Sequence, residues 1–505
     1  MAPLHLVWIK RDLRLQDHEA LRRASEQGQP VAAFWLMEPS LEAHPAMAPR
    51  HWQWQYHSAR ALQAALRPYG IPLYLLYAEA VEALRSLTGH LRVAALYSYR
   101  ETGLQVTYQR DQAVSQWLRQ AGIPWQEFDR NGVQRGRRDR QGWDAAWRHY
   151  MQAPQASRPN VVPAAGMPFD QLNAWARRYA LPPEKRQALQ KWPDAFQKPG
   201  EAAGQERLHT YLDRGLYYAY NKHISRPLES RESCSRLGTY LAWGNVSLRQ
   251  VYQAARARYA TGDHRGALRA FISRLHWHSH FIQKFEMECR MEWENVNRGF
   301  DALDRREDPA LLAAWKKGET GFPLVDACMR ALQETGYVNF RMRAMLVSFL
   351  THHLWQPWRS GVEHLAQLFL DFHPGIHYPQ MQMQSAVTGI NSVRTYNPVK
   401  QSQDHDEAGR FISYWLPALQ ELPNELIHQP WLLTSWEQQW YHLQLGQDYP
   451  WPVIDHQEAA RAAKKKLFPA KNWPQVKAES RRILARHTTA TRNTDQRTRE
   501  VIRSS

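Results

Sequence analysis

"LHLVWIKRDLRLQDHEAL", residues 4–21, decides the fold. Leu4 to Ile9 is a nearly continuous apolar run with the length of a buried strand. It stops abruptly on the charged turn Lys10-Arg11-Asp12-Leu13-Arg14. Four more runs of the same kind follow: "VAAFWL" (31–36), "PLYLLY" (72–77), "VAALYSY" (93–99) and "IPWQEF" (123–128). Helical patterns separate them, and two of these, ending at Gly70 and Gly122, carry the glycine that stops a helix. Strand–helix alternation predicts a parallel sheet with right-handed crossovers, which takes its ligands beyond the carboxyl ends of the strands. No GxGxxG follows the first strand, so a dinucleotide site of the usual kind is not expected in this part.

Beyond residue 130 the pattern changes. "RNGVQRGRRDRQGW" (130–143), "APQASRPNVVPAAG" (153–166) and "LPPEKRQ" (181–187) are rich in Pro, Gly and Arg. They predict a surface connector over 131–205 with short helices. From 206 to 485 the spacing is helical, as in "GALRAFISRLHWHSHFIQKFEME" (266–288). The expected organisation is an α/β domain over 1–130 with a parallel, five-stranded, Rossmann-like sheet, the connector, an all-α domain over 206–485, and a basic tail over 486–505. A chain of 505 residues exceeds one ordinary core, in keeping with this division.

Composition narrows the function classes. Lys plus Arg number 65 against 48 Asp plus Glu, a net charge of +17 that attracts polyanions, nucleic acid first. No stretch is long and apolar enough for a membrane span, and the first residues reach charge within ten positions, unlike a signal peptide. Cys234, Cys289 and Cys328 are odd in number and far apart, which argues against a disulfide framework. A cytoplasmic monomer is expected. His276, His278 and His280 alternate along one helix without a third ligand at metal spacing, so no metal is expected.

The opening strand and its Arg-Asp-Leu-Arg turn resemble the N-terminal signature of the photolyase/cryptochrome family. Four further segments resemble that family in the correct order: "CSRLGTYLAWGNVSLRQV" (234–251), "AAWKKGETGFPLVDACMRALQETGYV" (313–338), "RTYNP" (394–398) and "FISYWLPALQELP" (411–423). The resemblance spans residues 4 to about 470. It implies an antenna-type α/β domain, a helical domain that binds FAD, and DNA carrying ultraviolet lesions as the partner.

The resemblance also implies roles for individual residues. Cys234, Ser235, Arg236, Leu237 and Gly238 match the segment around the FAD pyrophosphate, with Cys234 and Gly238 standing where the family has hydroxyl residues. Backbone N–H groups near a helix start suit such an anion. Tyr220 matches an upstream tyrosine. Arg343 and Asp371 match a pair beside the isoalloxazine ring, where a fixed guanidinium stabilises the negative charge of reduced flavin. His373 and His377 lie in the same loop. His377 falls where repair enzymes commonly have Asn, facing flavin N5, and a histidine there can carry a proton.

Departures from the family are equally specific. Phe340 and Ala344 stand where (6-4) repair enzymes have two histidines, which disfavours that chemistry. Trp277 keeps the tryptophan that stacks on a flipped base, and Phe271 replaces another aromatic near the flavin. Arg274 stands where a glutamate binds the pyrimidine dimer, so an acceptor has become a donor. Arg226, Arg341 and Arg394 are expected to face DNA phosphate. Of the three tryptophans that usually relay electrons to the flavin, Trp358 matches the middle one. The inner one is Met381, in "YPQMQMQS" (378–385), and the outer one falls near Arg305; Trp243, Trp277 or Trp355 are candidates for another route. "EAHPAMAPR" (42–50) loosely resembles a folate-contacting segment through His44, but the identity of any antenna chromophore stays open. The expected function is light-driven, FAD-dependent repair of cyclobutane pyrimidine dimers. The alternative is a cryptochrome-like blue-light photoreceptor with little or no repair.

Overall fold

The computed structural model describes residues 3–163 and 165–488. All five predicted runs form strands: β1 (Leu4–Ile9), β2 (Val31–Met37), β3 (Leu73–Tyr77), β4 (Val93–Tyr99) and β5 (Trp125–Phe128). They make one parallel sheet in the order β3-β2-β1-β4-β5. The order reverses between β1 and β4, so the crevice lies beyond their carboxyl ends. Both faces of the sheet are covered, which is why the strands read as near-continuous apolar runs. Val7, Ile9 and Trp35 point into a core that runs unbroken into the helical part. Leu6, Trp8 and Phe34 point into a second core shared with Leu172 and Trp175.

The charged turn after β1 is the joint between the sheet and the helices. Arg14 is buried and donates to the carbonyl oxygens of Gly244 at 3.1 Å and Asp17 at 2.9 Å. Arg11 donates to Phe372 O at 3.0 Å and to Glu101 at 3.1 Å. Asn245 reaches back to Leu13 O at 3.0 Å and accepts from Trp54 Nε1 at 2.8 Å. Asp17 pairs with Arg249 and takes the Ser247 hydroxyl. Gly244 sits at φ +73°, and a Cβ there would come 2.1 Å from Arg11 O. Only glycine allows that approach.

The stretch 131–205 departs from the expected surface connector. Its first part packs inward: the helix Trp143–Gln152 buries Trp143, Trp147 and Met151. Their four-residue spacing is an amphipathic stripe that the Arg- and Gly-rich flanks obscure. Two more helices, Phe169–Arg178 and Pro183–Gln190, lie in the same stretch, and the next, Glu201–Asp213, starts before residue 206. From there on the described residues form helices and turns, with one isolated bridge between Leu445 and Tyr449. Most of the predicted basic tail, residues 489–505, lies outside the described residues. No helix among the described residues is long and apolar enough to cross a membrane.

Two predictions follow from these contacts. Gly244→Ala should destabilise the protein by about 2–4 kcal/mol through the left-handed backbone and the collision with Arg11, read as a lowered melting temperature. Burial holds His51 and His352 near pKa 3 and His353, His364 and His377 near 4. Unfolding lets each regain a value near 6.5, so the unfolded chain binds more protons between pH 6.5 and 4, and stability is lost as pH falls through that window. Glu38 and Asp326, raised by burial to about 7 and about 6, act in the opposite sense, but the lowered histidines, His278 and His487 among them, outnumber them. The melting temperature should therefore drop between pH 7 and pH 5, above the ordinary carboxylate range. A flat profile there would contradict the buried neutral histidines.

Candidate functional site

Four elements of the helical part supply the site. The first is the segment Cys234–Leu237 with the short helix Gly238–Trp243 that it enters. Its backbone is pinned by Arg207, which donates to the carbonyls of Glu232, Cys234 and Ser235. Gln197 adds a bond to Arg236 O at 3.0 Å. The Ser235 hydroxyl takes the Leu237 N–H at 3.5 Å, a long contact. Burial pushes the Cys234 thiol up to about 11, so it stays protonated. Arg236 occupies the left-handed region at φ +53°, unusual for a non-glycine residue. Its guanidinium lies 3.6 Å from the centre of the Tyr337 ring and donates to Arg231 O.

The second element is the helix Arg265–Met287. Phe271 is buried edge-on to Tyr220, with ring centres 6.0 Å apart, and packs on Tyr211 at 4.9 Å. Arg274 is exposed with its charge acting on the Tyr220 phenol, and the two bring one edge of the site together. Trp277, one turn on, is half-buried beside His280 and Phe281. The three alternating histidines divide as the helical period requires. His276 bonds Asp144 at 2.8 Å and, like His280, packs against Trp143. His278 turns the other way, toward His373, so it is neither a surface nor a DNA-facing residue. No cluster of metal-ligating side chains exists among the described residues.

The third and fourth elements are the helix Phe340–Ser348 and the loop leading into the helix Pro374–Gln384. Arg343 donates to Asp371 at 2.9 Å and to Val338 O, with its guanidinium 4.1 Å from the Phe369 ring centre. Both partners keep about a fifth of their side-chain surface open. Phe340, at the start of its helix, is 49% exposed and projects away from the core. Asp371 also abuts Gly238: a Cβ on that glycine would lie 2.8 Å from Asp371 Oδ2. Without a side chain, Gly238 leaves the room that the Asp371 carboxylate occupies.

His377 differs from the expected proton carrier. Its Nε2 bonds Val362 O at 2.9 Å, and its ring is enclosed by Phe369, Phe372 and Tyr378. Burial lowers its pKa to about 4, so at neutral pH it holds one proton and donates that to a carbonyl. His373 is likewise kept neutral, by burial and by Arg11 and Arg130. In "YPQMQMQS", Met381 is buried, and Gln382 accepts from Val296 N while donating to the carbonyls of Met291 and Glu294. That bonding explains why the glutamine stands between two methionines. Trp358 is buried with its Nε1 on Asn295 at 2.8 Å. Arg305 lies over Trp355, 4.8 Å from the ring centre.

The basic rim is also assembled. Arg341 lies 5.6 Å from the Tyr396 ring centre, Arg394 is exposed two residues before that tyrosine, and Arg226 and Arg341 both act on His405. Arg207, Tyr337, Gln197 and His278 were missed by sequence reasoning. Only the alternation of His278 with its neighbours could have signalled one of them.

The donor set fits a dinucleotide such as FAD. Asp371 Oδ1, Arg236 Nε and His278 Nε2 are buried polar atoms without a protein partner, on three of the elements that meet here. A polar ligand between those elements is what would satisfy them. The α/β part offers less room. Lys10, Arg11, Glu38, Glu101, Arg110 and Asp111 fill the crevice at the strand ends with a chain of ion pairs. Burial alone would raise the Glu101 carboxyl, yet Arg110, Arg11 and Lys10 bring it down to about 2. His44 is bonded to Glu292 at 3.1 Å.

Residues 271–468 match the family model described as the FAD binding domain of DNA photolyase, and residues 5–135 match that of DNA photolyase. The chain belongs to the photolyase/cryptochrome family. A deoxyribodipyrimidine photo-lyase of Alkalihalophilus pseudofirmus is 28% identical over 498 residues, covering 91% of this chain and 97% of that one. A cryptochrome DASH of Synechocystis is 27% identical over 494 residues, covering 92% and 97%. Among solved structures, a bacterial class III photolyase from Agrobacterium tumefaciens superposes with a TM-score of 0.80 at 25% identity, over 94% of this chain and 98% of that one. The photolyase fold therefore extends over nearly the whole chain.

The packing of Gly238 on Asp371 makes a test. Restoring a hydroxyl with Gly238→Ser should push Asp371 off Arg343 and weaken FAD retention about tenfold, the loss of one charge-assisted bond. Flavin released on gel filtration measures it. Unchanged retention would show that the close approach is not needed.

Proposed function

We propose that the protein is a light-dependent FAD enzyme that repairs cyclobutane pyrimidine dimers in DNA. The observation that carries this reading is the placement of Arg274 and Trp277 on the helix that also supplies the cofactor-side residues Phe271 and His278. A lesion held at Trp277 would then lie next to the cofactor. Curated relatives of similar length named deoxyribodipyrimidine photo-lyase support the same reading.

Bound and reduced FAD supplies the electron that light drives onto the lesion. The protein does the rest. Arg343, held in place by Asp371, keeps a positive charge at the ring. Tyr220 orients Arg274, whose N–H groups can donate to thymine O4 or stabilise negative charge on the dimer. Trp277 offers a π face to a flipped base, and damaged sites flip at lower cost because their stacking is already weakened. Arg226, Arg341 and Arg394 give affinity for phosphate without regard to sequence. We also read the protein as a cytoplasmic monomer, from its charged and cysteine-poor composition.

A photoreceptor without repair is the second reading. It is favoured by the donor-only Arg274 and by Met381 and Arg305 at relay positions. Chemical reduction followed by illumination with dimer-containing single- and double-stranded DNA separates the two. Repair predicts restored thymine, and none under any illumination would leave the photoreceptor reading. Reducing the protein chemically keeps a failed photoreduction from passing as failed repair. Arg341→Ala should weaken DNA binding uniformly across sequences and flatten the slope of log K against log salt by about 1.

A further inference from the structure

We infer that Arg130, at the carboxyl end of β5 and outside the helical part, is a cation that holds the negative charge of bound FAD together with His278 and His373. Arg130 donates to Leu241 O at 3.1 Å, in the short helix that follows the Cys234–Leu237 segment. It borders a small cleft between the strand ends and the helices, also lined by Arg100, Asp129, Arg135, Glu286 and His373.

Every carboxylate near it is already engaged. Asp129 pairs with Arg100 at 2.7 Å, and Glu286 with Arg135 at 2.8 Å. Asp12 bonds His18 and Lys10 N, and Glu101 bonds Arg11 and Arg110. Burial and the repulsion of Arg14 and Arg11 lower its pKa to about 10, and the shared carboxylates Asp12 and Glu101 offset this only in part. A cation buried without an anion of its own to bond is costly. The same uncompensated field falls on His278 and His373, whose rings are 6.3 Å apart. Burial first and Arg130 next keep His278 neutral, with a pKa near 4.

The direction of this pole identifies its ligand. His278 shares a helix face with Phe271 and Arg274, seven and four residues before it. His373 lies two residues beyond Asp371. Asp371 acts on both His278 and Arg236, whose Nε2 and Nε atoms lack protein partners, so the pole faces the ring clamp and the pyrophosphate segment, and the anion that fits is FAD, through its pyrophosphate or its reduced ring.

Two variants separate charge from structure. R130Q keeps an N–H donor for Leu241 O and loses the cation; R130M loses both. Apoprotein of each is titrated with FAD and with riboflavin, its melting temperature is recorded, and the flavin midpoint potential is measured. The inference expects R130Q and R130M alike either to lose FAD affinity about tenfold or to lower the flavin midpoint potential, with R130K recovering most of the effect. Loss for FAD with riboflavin unaffected assigns the contact to the pyrophosphate. Unchanged affinities with a lowered midpoint potential assign it to the reduced ring. Wild-type affinity and potential in R130Q, or an effect confined to R130M and matched by its lower apoprotein melting temperature, would overturn the inference.

Discussion

The rest of the structure depends on one buried guanidinium. Arg14 bridges its own turn and the carbonyl of Gly244, and so fixes the end of β1 against the start of the helical core. The neighbouring bonds presuppose that approach. Arg11 can reach Phe372 O only because Gly244 carries no side chain, and Phe372 directly follows the aspartate that holds Arg343. A turn at residue 14 is thereby tied to a loop at residue 371. The sheet, which offers no open nucleotide crevice of its own, acts as the buttress of a site built elsewhere.

The site combines satisfied and unsatisfied polar groups in a consistent way. On the side of the sheet, ion pairs link Lys10, Arg11, Glu38, Glu101, Arg110 and Asp111 into one chain in which Glu38 Oε1 is left without a partner. On the side of the cofactor segment they are open, at Asp371 Oδ1, Arg236 Nε and His278 Nε2. Buried polar atoms without partners cost stability, so their concentration on facing elements marks a place where a ligand completes the fold. The strained backbone of Arg236 belongs to the same place.

Much of this was legible in the sequence, for physical reasons. A strand buried on both faces leaves an unmistakable apolar run, and all five were found. The resemblance paired Arg343 with Asp371, and the fold bonds the two at 2.9 Å. What escaped had no local signal. Arg207 acts on carbonyls 25 to 28 residues away, and a side chain that bonds backbone leaves no pattern in its partner. The inward packing of Trp143 and Trp147 was hidden by the arginines around them. The surroundings of His377 left no local signal either, because Val362 O and the three rings around it come together only in the fold.

The joint between the two parts is made largely of side chains that bond main-chain oxygens: Arg14 to Gly244, Arg11 to Phe372, His51 to Phe369 and Arg50 to Leu368. A carbonyl is the same acceptor whatever side chain its residue carries. Positions 368, 369 and 372 can therefore drift over evolutionary time, within the limits of packing, without loosening the seam. A joint of this kind lets two halves of a molecule diverge while their relative placement stays fixed, which accords with an overlap of 0.80 at one residue in four.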